Sequence, residues 1–177
     1  LPVFNLAKQI NTDILDTFTW NSIQKKVTFI PLETNKSSLL TSSIEIDYID
    51  DNKILIVDNR TDNILIFDYK GNFLQVFNHS GKGPGEYIYL TYVFYNPPDS
   101  TIGVFDNGNQ QLIFYNLKGE HIKSFPTNNK FYGDIIYSVK QNYVVTKCSG
   151  SYQIGIYDQS LELIQEYLPY NPNYSER

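Results

Sequence analysis

A few side chains in this sequence have types and spacings that could do chemistry. Asp58-Asn59-Arg60-Thr61-Asp62-Asn63 offers oxygen ligands at alternating positions, the pattern of calcium loops. Arg60 stands where a further oxygen ligand belongs, and no glutamate closes the loop, so turn formation by Asp and Asn is the expectation. Gly81-Lys82-Gly83-Pro84-Gly85-Glu86-Tyr87 is a glycine-rich loop. No Gly-Lys-Ser/Thr follows at the phosphate-loop spacing, and it does not open a helix after a strand as a dinucleotide fingerprint does. A rigid turn with Glu86 accepting backbone N–H groups accounts for it. The two histidines, His79 and His121, are far apart and lack zinc spacing. His79 adjoins Ser80, but adjacency does not make a triad and no nucleophile elbow is present. Glu86 and Asp134 are carboxylates of the kind glycoside hydrolysis pairs, although nothing in the sequence favours that pair over others. Tyrosine is the one surplus, 15 of 177 residues, with Tyr87, Tyr89, Tyr132 and Tyr174 near the joints between repeats. Such rings stack on sugars or, more plainly, pack one element on the next.

The elements that position these residues come from a repeat. Val57-Asp58-Asn59 aligns with Phe105-Asp106-Asn107 at an offset of 48 (105 − 57), which carries Phe67 onto Tyr115, Gly71 onto Gly119 and Phe77 onto Phe125. A third copy follows at 42 (157 − 115), with Leu161 in place of the turn glycine. Periods of this length mean solenoids, propellers or arrays. Ile54–Val57 and Ile64–Phe67 are unbroken apolar runs rich in β-branched residues, expected as strands buried on both faces. Phe73–Phe77 reads as a half-exposed outer strand. Asp68–Asn72 and Asn116–Glu120 read as type I turns closed by a left-handed glycine. Adding Ile44–Ile49, Tyr89–Tyr95 and Phe131–Val139 gives four antiparallel strands per repeat. The expected fold is all-β: a β-propeller of four-stranded antiparallel blades, three visible, half of a six-bladed ring.

Residues 1–43 form an N-terminal extension, with weak helical spacing over Ala7–Phe18, a strand over 26–33 and a polar linker. Residues 44–177 hold repeats at about 44–87, 88–129 and 130–170, then the start of another inter-blade loop. A hydrophobic content of 41% suffices for a core, and the formal net charge of −5 argues against nucleic acid as a partner. Cys148 alone excludes an internal disulfide and a cysteine zinc site, and is expected as a buried thiol. No apolar run is long enough for a transmembrane helix. No cofactor, metal site or catalytic residue is indicated. The chain lacks Met, so an upstream segment such as a signal peptide is expected to have been removed.

In an up-and-down blade, the turns between strands two and three share one end with the inter-blade loops. The last residues of those loops are expected near the central axis. This places Lys82, Glu86, Tyr87, Lys130, Tyr132 and Asp134 as the candidate ligand-binding set at the channel mouth.

The order of features resembles a known family. Val27-Thr28-Phe29-Ile30-Pro31-Leu32-Glu33-Thr34, the VDN/IFD repeat and the GKGPGEY loop are together similar to six-bladed propeller proteins of gut Bacteroidetes, often lipoproteins and distant relatives of the NHL and TolB-type propellers. The resemblance covers nearly all of the chain and about half of a full member. It implies export to the periplasm or cell surface, with a lipid anchor upstream of Leu1, and implies no activity. The expectation is a non-enzymatic binding or scaffold protein whose ligand is a glycan, a peptide or another envelope protein. A propeller hydrolase or lyase with acidic residues at the channel mouth is the alternative. Three blades do not close a ring, so either the natural chain continues or two copies complete each other as a homodimer.

Overall fold

The computed structural model describes residues 29–49, 52–128, 136–146 and 151–169. The chain divides into two units, Leu1–Ile30 and Pro31–Arg177. Nearly all of the first unit, including the helical spacing over Ala7–Phe18, lies outside the described residues. So does Cys148.

The second unit is all-β among its described residues and is built as three four-stranded antiparallel sheets. The first holds β1 (Ile44–Ile49), β2 (Lys53–Asp58), β3 (Asn63–Asp68) and β4 (Phe73–Phe77) in that order. The second holds β5 (Leu90–Asn96), β6 (Thr101–Asp106), β7 (Gln111–Asn116) and β8 (His121–Pro126). The third holds β9 (Ile136–Val139), β10 (Asn142–Thr146), β11 (Tyr152–Tyr157) and β12 (Leu163–Pro169). Of the strand expected over 26–33, the described part forms no ladder. Glu33 alone bonds across to the first sheet, its N–H donating to Gly71 O (2.8 Å) and its carboxylate accepting from Phe73 N (2.9 Å).

Unbroken apolar runs in β2, β3, β6 and β7 demand cover on both faces, because successive side chains alternate. The packing supplies it. Leu55, Val57, Ile64 and Ile66 of the first sheet meet Val93, Ile102, Val104, Ile113 and Tyr115 of the second. The second sheet's other parity, Phe94, Phe105, Leu112 and Phe114, meets Ile136, Tyr143, Val145 and Tyr157 of the third. The far parity of the first sheet, Ile54, Ile56, Leu65 and Phe67, is packed by Leu32, Leu40, Phe73 and Val76. The corresponding far parity of the third sheet is open. Tyr137 and Tyr167 are 50% and 46% exposed, and Val144, Ile154 and Ile156 are only partly covered.

The three hairpins before the outer strands share one turn. Gly71 N donates to Asp68 O (3.0 Å), Gly119 N to Asn116 O (2.9 Å) and Leu161 N to Asp158 O (3.0 Å). Each turn is tightened by its first side chain. Asp68, Asn116 and Asp158 accept with Oδ1 from the N–H groups two and four residues on. Gly71 and Gly119 have φ of 89° and 80°, the left-handed region glycine enters without cost, and Leu161 is held there at 62°.

Candidate functional site

The loop that the sequence singles out is consumed by the fold. Tyr87 is fully buried in the core between the first two sheets. Its hydroxyl donates to Asp62 O (2.9 Å) and accepts from His79 N (3.0 Å). Burial pushes the phenol up to about 12, so it stays protonated. The backbone closes the same loop, with Tyr87 N donating to His79 O and Gly81 N to Tyr87 O, both at 3.0 Å. Glu86 Oε2 accepts from Gly83 N at 2.7 Å, the turn-internal role expected of it. A Cβ on Gly81 would lie 2.0 Å from that oxygen, so a side chain there would displace the Glu86 carboxylate from its place. Beyond Glu86, Gly85 O accepts from Tyr115 Oη (2.7 Å), and the His79 ring stacks on Tyr115 with centroids 4.9 Å apart. The loop is thus bolted to β7, over the seam between two sheets. Lys82 is exposed on its surface. Lys130, Tyr132 and Asp134 lie outside the described residues.

The aspartates ending the second strands are also occupied. Asp58 accepts from Thr41 N (2.8 Å), Thr41 Oγ1 (2.6 Å) and Arg60 N (3.1 Å). Burial alone would raise its carboxyl; the hydrogen bonds from Thr41, Arg60 and Thr61 outweigh this and hold it below the usual carboxylate range. Asp106, its repeat equivalent, accepts from Ile88 N, Tyr89 N and Gly108 N. Both carboxylates clasp the chain as it enters the first strand of a sheet. Of the alternating oxygens of 58–63, those of Asp58 thus hold backbone, while Asp62 Oδ2 accepts from Ser80 Oγ (3.3 Å) and Asn63 Oδ1 from Asn78 Nδ2 (3.2 Å), and among the described residues no three potential metal ligands gather. His121 bonds Ser124 Oγ on the exposed strand β8.

A second set of groups, which the sequence reading missed, lies on the first strand of each sheet. In β1 the register runs Ile46 to Ile56 and then Tyr48 to Leu55, so Asp47 is the extra residue of a bulge. A bulge re-aims its side chain out of the pleat, a device common beside functional sites. Asp47 Oδ2 is buried with no hydrogen-bond partner. Burial, with the like charge of Glu45 added, pushes this carboxyl up to about 7. Across from it, Tyr92 of β5 is pushed upward by burial first, then by Asp47, Tyr137 of β9 and Glu45. Glu45 itself is exposed and accepts from Asn59 Nδ2 (2.9 Å). Two carboxyl groups and two phenols, from β1, β5 and β9, thus share one electrostatic environment. Asp47 can donate or accept a proton near neutrality, and the cluster can hydrogen-bond hydroxyl groups of a ligand. The only sequence trace of the bulge is Asp47 itself, a charged residue inside an otherwise strand-like run.

The class defined so far is an all-β protein of stacked four-stranded antiparallel sheets, with a clasped loop and an acidic, tyrosine-lined strand cluster. Residues 1–177 match the family model described as "Domain of unknown function (DUF4934)", and the chain belongs to that family. A comparison with curated proteins found no match. Among solved structures, the chain is similar to a protein of Bacteroides fragilis named "putative exported protein", with a TM-score of 0.63 and 21% identity. The alignment covers 82% of this chain and 43% of that one, so this chain spans less than half the length of that relative. At this identity the likeness is one of fold. No helix among the described residues is long and apolar enough to cross a membrane.

Proposed function

We propose that this protein is an exported, non-enzymatic binding module whose three sheets are consecutive blades of a larger propeller, of the six-bladed kind related to NHL and TolB-type propellers. Its place is the periplasm or cell surface, held there by a lipid anchor. The repeat period, the four-stranded sheets packed face to face in chain order, and the likeness to a protein named as exported support this reading. In such a ring the first strands β1, β5 and β9 line the axis. The ligand is a hydroxyl-rich molecule, a glycan, taken by Glu45, Asp47, Tyr92 and Tyr137. Lys82 stands at the rim.

One observation carries the choice of site: Asp47 Oδ2 is a buried polar atom on a bulge that the fold leaves unpaired. Such an atom costs roughly 1–3 kcal/mol to bury unless water or a ligand bonds it, and a ligand hydroxyl would bond it here. Titration calorimetry with a panel of soluble glycans tests the reading. Binding by the native protein, weakened at least tenfold in Asp47→Asn with the fold intact, supports it. Equal affinity in the variant refutes the site.

The raised Asp47 carboxyl favours one second reading, a glycan hydrolase or lyase with Asp47 as general acid beside Glu45. New reducing ends or unsaturated products released from the same panel, and lost in Asp47→Asn, would establish catalysis over binding.

A further inference from the structure

Two tyrosines at the entry to β5 are put to opposite uses. Tyr87 is fully buried, whereas Tyr89 is 65% exposed. Single exposed apolar side chains are ordinary on a protein surface, so exposure alone assigns nothing. What sets Tyr89 apart is how it is held. Its N–H donates to Asp106 Oδ1 (3.1 Å), and the same oxygen accepts from Gly108 N (2.9 Å). Asp106 is itself buried, and its other oxygen accepts from Ile88 N (3.1 Å). One carboxylate thus ties the entry to β5 to the turn between β6 and β7. The ring leans on that turn. A Cβ at Gly108 would lie 2.8 Å from Tyr89 Cδ2 and 2.9 Å from Ile88 Cβ, so a side chain there would push the ring away.

The first sheet shows that the clasp does not need this pair. Ile44 pairs with Asp58 as Leu90 pairs with Asp106, so Ser43 stands where the second sheet has Tyr89, and Arg60 where it has Gly108. Asp58 there holds Thr41 and Arg60 with no aromatic ring. The ring and the glycine that makes room for it come together in the second sheet and are both absent from the first. They stand beside groups that bond hydroxyls. Asn107 and Asn109, both exposed, flank Gly108. Asn107 Oδ1 is taken by Gln110 Nε2 (2.5 Å), which leaves the Asn107 amide N–H groups as donors. An exposed ring held in place beside amides suits a pyranose, whose C–H face stacks on the ring while its hydroxyls meet the amides. Because the turn already holds the ring, less freedom is lost when a ligand binds.

We propose that Tyr89 is a stacking subsite for a sugar ring, at the turn end of the second sheet. This rests on the glycan-binding reading above and extends that site from Tyr92 to the entry of β5. Titration calorimetry with the same glycan panel tests it on Tyr89→Ala, Tyr89→Leu and Tyr89→Phe. The side chain is exposed, so the circular dichroism of all three variants is expected to match that of the native protein. Affinity is expected to fall roughly fivefold or more in Tyr89→Ala and Tyr89→Leu and to stay within about twofold of native in Tyr89→Phe, because stacking needs the ring and not the hydroxyl. Native affinity in Tyr89→Ala or in Tyr89→Leu would overturn the subsite, while glycan binding by the native protein would still stand. A loss in Tyr89→Phe equal to that in Tyr89→Ala would overturn stacking in favour of the hydroxyl. A native protein that binds no glycan of the panel would overturn both readings.

Discussion

Asp47 is held partly out of water beside Glu45, with one carboxyl oxygen unpaired. In the unfolded chain its carboxyl titrates near the usual value of about 3.9. In the folded chain burial and Glu45 lift it to about 7. The native state therefore binds more protons than the unfolded state between these two values, and this residue's contribution to stability falls as pH rises through that window. Below pH 4 both states are protonated and the effect vanishes. Asp47→Asn keeps the shape and removes the titration. Its melting midpoint is expected to exceed the native one by several degrees at pH 8 and to match it at pH 3.5. Thermal unfolding followed by circular dichroism at both pH values checks this. A variant less stable at pH 8 would show that Asp47 has a partner that stabilises its charge. Combined with lost ligand binding, the gain would mark a residue kept for function at the expense of stability.

At the scale of elements, the third hairpin turn departs from the other two. Gly71 and Gly119 take the left-handed position freely, while Leu161 occupies it at φ 62°, a conformation costing roughly 1–2 kcal/mol for a residue with a Cβ. Leu161 is also 2% exposed and packs in the core between the second and third sheets. Losing a buried leucine side chain costs roughly 2–5 kcal/mol, more than the strain it would relieve. Leu161→Gly is therefore expected to destabilise the protein by about 1–3 kcal/mol in urea unfolding, even though glycine suits the turn. A stabilised variant would mean that strain outweighs packing. This turn also shows what a sequence can convey. Asp68 with Gly71, and Asn116 with Gly119, announce the turn through residue chemistry, and the apolar runs announce β2, β3, β6 and β7 to within a residue. Glu86 could be read as a turn acceptor because three glycines surround it. The bulge at Asp47 was not legible, since its one sequence trace, an acidic residue in a strand-like run, fits a regular strand as well, and the register shift depends on how β1 meets β2. The burial of Tyr87 was hidden for a similar reason. Its partners Asp62, His79 and Tyr115 are set by how two sheets stack, which residue types along the chain do not encode.

The three sheets differ in how much of each is covered, and that asymmetry should govern how the molecule opens. The second sheet is packed on both faces: every residue of β6 is buried, and so are Leu112–Tyr115 of β7. The first has its far parity packed by Leu32, Leu40, Phe73 and Val76. The third has cover on one face only, with Tyr137 and Tyr167 half exposed on the other. At about 25 cal/mol per Å2 of apolar surface, a sheet stripped of one interface loses several kcal/mol of the stabilisation its neighbour enjoys. Local opening draws on the regions with the fewest buried apolar contacts. Native-state hydrogen exchange of the 177-residue chain is accordingly expected to release the amides of β10 and β11 first and those of β6 and β7 last. The gap should be at least tenfold in protection, and the second sheet should exchange only on global unfolding. Uniform protection across all three sheets would mean that they unfold as one unit and that the open face carries no energetic penalty. If the far face of the third sheet packs another blade in the whole protein, as in the propeller reading, extending the chain should raise the protection of β10 and β11 to that of β6 and β7. Protection of the second sheet should rise only with global stability, because its interfaces are already complete.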